Sequence, residues 1–399
     1  MTQSPLSGAV VLLFAIACGL SVANVYYAQP LLDAMANTFA MDHATVGVII
    51  TLSQVGYGIG LLLLVPLGDL LNRRRLIVSQ LLLSTFAVLL VALSDSSTWL
   101  LIAMLLTGLL AVVTQVLVAY AANLAQPQQR GHVVGLVTSG IVVGLLLART
   151  VSGLMADLAG WRSVYLLSAG LTLLMALLLW RALPSTEQPR PSSSYSQLIG
   201  SVFSLFRQEK VLRDRAVLAL LVFAAGTVLW TPLVLPLSAP PLSLSHTQIG
   251  LFGLAGAAGA LGAARAGHWA DRGFAQWVSG AALILMLLSW LAIAFTQSSL
   301  WALLLGVIIF DLGLQAVHVT SQSLIYSVRP EAQSRLAAGY MLFYSVGSAL
   351  GSVGATMMYA WGGWIAVCGL GAAINLLALL YWLVTLRPAA VAEPLPSPG

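Results

Sequence analysis

Residues 45–94 read TVGVIITLSQVGYGIGLLLLVPLGDLLNRRRLIVSQLLLSTFAVLLVALS: an apolar run, a short loop carrying Asp69 and Arg73 to Arg75, then a second apolar run. A helix needs about 20 mostly apolar residues to cross a bilayer, and both runs meet that length. Lipid offers no partner for backbone N–H and C=O groups, so such a run must be helical. The stretch is therefore a helical hairpin with its basic turn in water. Working outward, Pro, Gly and charge clusters cut the rest of the chain into similar pieces. Spans are expected near 9–30, 45–66, 76–94, 98–122, 133–155 and 162–181. Six more follow near 216–237, 247–266, 276–296, 299–325, 336–359 and 364–386. The expected fold is an all-α membrane protein of twelve transmembrane helices.

Composition agrees. Of 399 residues, 59% are hydrophobic and 7% charged, whereas a soluble domain carries about 25% charged residues. The same figures exclude a secreted disulfide scaffold, a disordered chain and a nucleic-acid binder. Cys18 and Cys368 fall inside apolar runs near opposite ends and read as small packed hydrophobes. No Lys or Arg precedes Arg73, so the first apolar run reads as a span and not as a cleavable signal.

Charge sets the expected topology. With the N-terminus inside, all of the 17 Lys+Arg except Arg149 and Arg162 fall in the inner loops. Positive residues mark the cytoplasmic side, so both termini of this multi-pass membrane protein are expected in the cytoplasm. Residues 184–194 read as a flexible linker. After them Leu198, Val202, Leu205, Phe206 and Leu212 recur at helical spacing among basic residues, the pattern of an amphipathic helix on the membrane surface. Residues 388–399 read as a disordered tail.

The chain also repeats itself. Asp69 is answered by Asp271 after 202 positions, and His43 to Gly47 by His246 to Gly250 after 203. Gly160-Trp161 is answered by Gly363-Trp364 at the same offset. The expected units are residues 1–183 and 216–387, two six-helix halves joined by the cytoplasmic segment 184–215.

These features resemble the major facilitator superfamily along essentially the whole chain. Val65 to Arg75 is similar to its loop 2–3 signature, keeping Leu67, Asp69 and the basic run, with Val65, Leu70 and Asn72 as departures. Gly267, Asp271, Arg272 and Gly273 form the second copy. The opening Asn24-Val-Tyr26-Tyr27-Ala-Gln29-Pro30 resembles little-characterised bacterial members placed with drug efflux proteins. The resemblance implies a major facilitator fold, a monomer, and a conformational latch built from Asp69, Arg73, Arg74, Asp271 and Arg272. Span 5 keeps the small residues of the antiporter glycine motif at Ala148, Ser152 and Gly153, but Arg149 stands where the motif has Pro.

Candidate site residues follow from what lipid does not tolerate. Asp311, Gln315, His318 and Gln322 lie at i, i+4, i+7 and i+11 in span 10, one narrow helical face. Such a stripe must face protein or water, and Asp311 with His318 is the expected proton-coupling pair. Its alternative is a static hydrogen-bond network. Arg149 in span 5 either faces a cavity, with Asp33 or Asp311 as partner, or snorkels outward. Asn24, Tyr27, Gln115, Trp230, Tyr340 and Tyr344 complete the expected wall of a substrate cavity. Gly56/Gly60, Gly140/Gly144 and Gly347/Gly351 have the spacing that lets backbones approach closely, and are expected at the seam between halves.

No metal-site spacing, P-loop or paired catalytic carboxylates occur; no cofactor, metal or nucleic-acid partner is expected, and no enzymatic activity. The expected function is secondary active transport by alternating access, coupled to protons and exporting small organic compounds. Uptake of an organic anion, with Arg149 as counter-charge, is the alternative. A membrane sensor is the alternative outside transport.

Overall fold

The computed structural model describes residues 7–126, 129–184, 194–262, 264–329 and 332–386. Span 1 is Gly8–Tyr26, a short 3₁₀ turn over Gln29–Leu31, and Leu32–Phe39. Span 2 is Val48–Leu63 with Leu67–Leu70 beyond Pro66, and span 3 is Arg73–Leu93. Span 4 joins Ser97–Ala111 to Val113–Leu124, and spans 5 and 6 are Arg130–Ala159 and Trp161–Ala182. In the second half, span 7 is Lys210–Trp230 continued by Val234–Ser238 past Pro232. Span 8 is His246–Gly262 with Ala264–Trp269, span 9 Ala275–Ala294, and span 10 Leu300–Val328. Spans 11 and 12 share Gln333–Thr385, broken at Gly362 and Gly363. The described residues contain no strand.

Local chemistry fixes the ends. The Asn72 side chain accepts from the Arg75 amide and starts span 3 directly after the basic loop. Ser96 and Ser299 cap spans 4 and 10 in the same way. Gly160 and Gly363 both adopt positive φ, 82° and 65°, a conformation a side chain disfavours. Each releases the chain into the next span in a tight turn, and each is followed by a buried tryptophan, Trp161 or Trp364. The repeated Gly-Trp of the sequence is thus a repeated corner. Large apolar side chains such as Phe86, Leu158, Trp277, Trp301 and Val384 remain uncovered by protein, the surface that a bilayer solvates.

Two expectations change here. The helix Tyr195–Gln208 begins with a Ser194/Gln197 capping box, but its apolar stripe does not lie on lipid. Val202 and Leu205 are buried, and Phe206 stacks on Phe343 of span 11 at 5.2 Å. Tyr195 donates to the Leu63 carbonyl of span 2 at 2.7 Å, so the helix straps the two halves together. Leu212 belongs to span 7. Residues 185–193 of the expected linker and the whole expected tail, 388–399, lie outside the described residues.

The second correction concerns the glycines. Gly56 and Gly60 face Leu105 and Leu109 of span 4, Gly140 and Gly144 face Ala15 and Gly19 of span 1, and Gly347 and Gly351 face Leu220 and Ala224 of span 7. All six pack helices within a half. The seam uses Gly47, Gly58, Gly153, Gly250 and Gly253 instead, facing Thr356, Ser345, His246 and Arg149. Spacing announces that backbones meet; it does not say which backbones. The pseudo-symmetry holds in these contacts too, since Gly259 meets Ile308, the counterparts of Gly56 and Leu105.

Candidate functional site

The break in span 1 positions the first functional group. Pro30 interrupts the helix and turns the buried Gln29 side chain into the seam. There its Oε1 accepts from Arg149 Nε of span 5 at 2.9 Å. Arg149 is 6% exposed, so it does not snorkel. Its guanidinium lies 3.8 Å from the Trp230 ring centroid and 5.6 Å from that of Tyr26. The Trp230 indole in turn donates to Asp311 Oδ1 at 3.2 Å. Neither Asp33 nor Asp311 forms an ion pair with Arg149. A cation of one half and a carboxylate of the other are joined through an indole.

Span 8 makes room for this arrangement. A Cβ on Gly253 would stand 2.9 Å from the Arg149 Cβ, and one on Gly256 only 2.1 Å from Asp311 Oδ2. Its glycine stripe is the surface on which Arg149, Trp230 and Asp311 lie. Beside Arg149, Gln29, Pro30, Trp230 and Ile249 enclose a cleft of about 10 Å³, room for about one water.

An aromatic cluster continues toward the basic end. Tyr26 and Tyr344 are hydrogen-bonded through their hydroxyls across the seam. Tyr57 packs edgewise on Tyr344, which meets Phe223 at 4.1 Å between centroids. Gln115 donates to the Tyr57 hydroxyl at 3.3 Å. Phe223 contacts His318 at 5.2 Å, and His318 Nδ1 lies 3.0 Å from the Tyr340 hydroxyl. Asp311 and His318 thus share a helix face but have separate partners. Gln315 and Gln322 are half-buried on that face.

Two expected cavity residues are not here. Asn24 accepts from Ser168 of span 6, and Tyr27 stacks edgewise on Tyr165 of the same span. Both fill the interior of the first half. Tyr26, Gln29, Tyr57 and Phe223 take the places at the seam. Sequence offered one signal for them, the proline break that rotates Gln29 relative to Asn24.

At the basic end Asp69 pairs with Arg73 at 3.1 Å, its side chain 59% exposed. Arg73 also donates to the Gly68 carbonyl at 2.8 Å, and Arg74 lies over Trp180 at 4.6 Å. These contacts stay inside the first half. Arg272 is exposed, and the Asp271 side chain lies outside the described residues. The hydrogen bonds between halves gather at the other end. Thr51 donates to Ala349 O and Ser352 to Gly47 O, both at 3.0 Å. Thr150 donates to Gly250 O at 3.0 Å, and Thr356 to Ala44 O at 3.2 Å.

Two pseudo-symmetric helical bundles with a buried charged seam define a multi-pass secondary transporter, not an enzyme. The chain belongs to the Major Facilitator Superfamily, whose family model matches residues 12–331 and 218–399. It is similar to YgaY of Escherichia coli O157:H7, named as an uncharacterized transporter: 50% identity over 377 residues, 94% of this chain and 95% of that one. Among solved structures, a bacterial homologue of the human lysosomal transporter Spinster, inward-facing and unoccupied, superposes with a TM-score of 0.78. It is 16% identical and covers 97% of this chain and 100% of its own. The nucleoside transporter NupG superposes with a TM-score of 0.77 at 13% identity, covering 95% of this chain and all of that one.

Proposed function

We propose that the chain is a proton-coupled transporter of the inner membrane that exports small organic compounds by alternating access. Cargo binds among the aromatic side chains around Arg149, Trp230 and Asp311 once the seam parts there, since the cleft beside Arg149 measures about 10 Å³ in the conformation described. One observation carries the reading: Arg149 of the first half and Asp311 of the second are both buried and meet only through Trp230. Any motion that parts the halves at this level separates the two charges. A buried charge left alone is costly, so Arg149 then needs a replacement for the Trp230 face, and Asp311, which keeps its Trp230 donor, a replacement for the nearby cation. Cargo takes that place for Arg149, and a proton for Asp311. A proton descending 100 mV supplies about 2.3 kcal/mol electrically.

The positive-inside rule assigns the arginine-rich end to the cytoplasm. The seam is hydrogen-bonded at the opposite end, so the conformation described is closed to the outside; the inward-facing state of its Spinster-like fold neighbour supports this reading. Uptake of an organic anion is the second reading, favoured by the guanidinium meeting only a neutral amide and aromatic faces.

Proteoliposomes with an entrapped pH-sensitive dye, given a panel of organic anions, zwitterions and cations, test both. A compound that moves protons identifies the cargo, and its charge chooses between the readings. Asp311→Asn should then abolish gradient-driven accumulation of that compound while sparing its exchange, and His318→Gln should cause a smaller loss. Normal accumulation in both variants would remove proton coupling from this site.

A further inference from the structure

The His43 to Gly47 and His246 to Gly250 segments repeat in sequence but not in surroundings. His43 lies edge-on to Tyr359, 5.9 Å between centroids. His246, at the tip of span 8 outside its apolar run, sits between two carboxylates of the other half. Its Nε2 is 3.0 Å from Asp33 Oδ1 of span 1, and its Nδ1 is 3.2 Å from Asp157 Oδ1 of span 5. Asp157 also accepts from the backbone amides of His246 and Thr247, at 3.2 and 2.7 Å. It thereby caps span 8 from across the seam.

A neutral imidazole has one N–H, so one ring nitrogen would turn a lone pair toward a carboxylate. Only the imidazolium donates to both. Of the other charged groups at this end, Arg149 meets Gln29 and Trp230, Arg162 donates to Ser94 O and stacks on Trp161, Asp42 accepts from Thr45, and Asp95 is exposed. Gln248, on the same helix, accepts from the Ser245 amide.

We propose that His246 is a proton-binding site whose occupancy is tied to closure of this end of the seam, Asp33 and Asp157 being its acceptors. The proton arrives from water as the halves meet and leaves to water as they part, with no covalent step. Proton uptake on closure makes acid favour the closed end. The hydrogen bond to Asp33 and the charges of both carboxylates raise the His246 pKa above its ordinary value near 6.5, against partial desolvation. The stabilisation is therefore complete below that ordinary value and is lost as pH rises through the raised one. Between the two, the closed-to-open ratio falls by at most tenfold per pH unit, as one linked proton requires.

The site shares the alternating-access reading proposed above but needs neither proton coupling at Asp311 nor a particular membrane orientation. Spin labels at Leu93→Cys and Trp301→Cys, exposed on opposite halves at this end, report the separation of the full chain in detergent. Cys18 and Cys368 are replaced by alanine. Both faces then see one buffer. The expected result is a short distance at pH 5, with a longer population growing toward pH 8.5. His246→Gln should open the seam at all pH values, and His246→Lys should remove the pH dependence. Wild-type distances that do not change with pH, or a His246→Gln variant that titrates like wild type, would overturn the proposal. A titrating clasp in a protein that moves no protons would instead refute the coupling at Asp311 and leave His246 standing.

Discussion

At the scale of the residue, the partner of Arg149 is a ring. A desolvated cation–π contact contributes about 2 kcal/mol or more, and indole is the strongest aromatic partner. Trp230 adds an N–H to Asp311, so one side chain serves both charges. The two roles are separable. Trp230→Phe keeps a face for Arg149 and leaves the carboxylate without its donor, a loss of about 1.5–3 kcal/mol for a hydrogen bond to a charged group. We expect transport to fall between tenfold and hundredfold with normal yield of folded protein. Arg149→Lys should fall at least as far, because an ammonium reproduces neither the planar stack nor the Nε donation to Gln29. In a double-substitution cycle of transport rates, Arg149→Ala with Trp230→Leu should cost little more than either alone. Additive losses would show that the contact is incidental.

At the scale of the element, the glycines divide the helices into those that hold a half together and those that let halves part. A Cβ on Gly56 would stand 2.0 Å from Leu105 O inside the first half, and one on Gly153 2.1 Å from His246 O across the seam. Overpacking of this kind costs about 1–3 kcal/mol, but it is relieved differently. Gly56→Ala is relieved only by distorting a bundle and should lower the melting temperature by several degrees. Gly153→Ala is relieved by opening the seam, so Ile249→Cys, buried in the closed state, should react faster with a water-soluble maleimide while melting little changed. The same contrast marks what sequence made legible. Asp311, Gln315 and His318 share one face because 100° per residue fixes positions along a single helix. Span 1 is apolar on nearly every side, so periodicity does not fix its rotation, and Asn24 and Tyr27, expected on the cavity wall, pack against span 6 while Tyr26 and Gln29 face the seam. Pairings between helices, such as His246 with Asp33, have no periodicity to announce them.

At the scale of the whole molecule, the two ends of the seam are in opposite conditions, and Asp69 belongs to the arginine-rich end, which the helix Tyr195–Gln208 straps through Leu63 O, away from the end where the hydrogen bonds between spans of the two halves gather. Here its carboxylate meets only Arg73 of its own half and is mostly exposed. Although Arg73 is buried, the Asp69 carboxylate is mostly in solvent, where an ion pair contributes about 0–1 kcal/mol, so this conformation loses little from Asp69→Asn. The opposite conformation, with the arginine-rich end shut, brings the carboxylate toward the second half, where a helix N-terminus rewards a negative charge by about 0.3–1 kcal/mol, more when partly buried. The substitution therefore acts on the equilibrium between conformations and not on either fold. We expect Asp69→Asn to insert and melt like wild type. Transport should slow, and the Leu93→Cys/Trp301→Cys distance should shift toward its short population at a pH where wild type shows both. Lost insertion would make Asp69 a folding residue. Slower transport with an unchanged distance distribution would move its role from conformational balance to the rate of crossing between states.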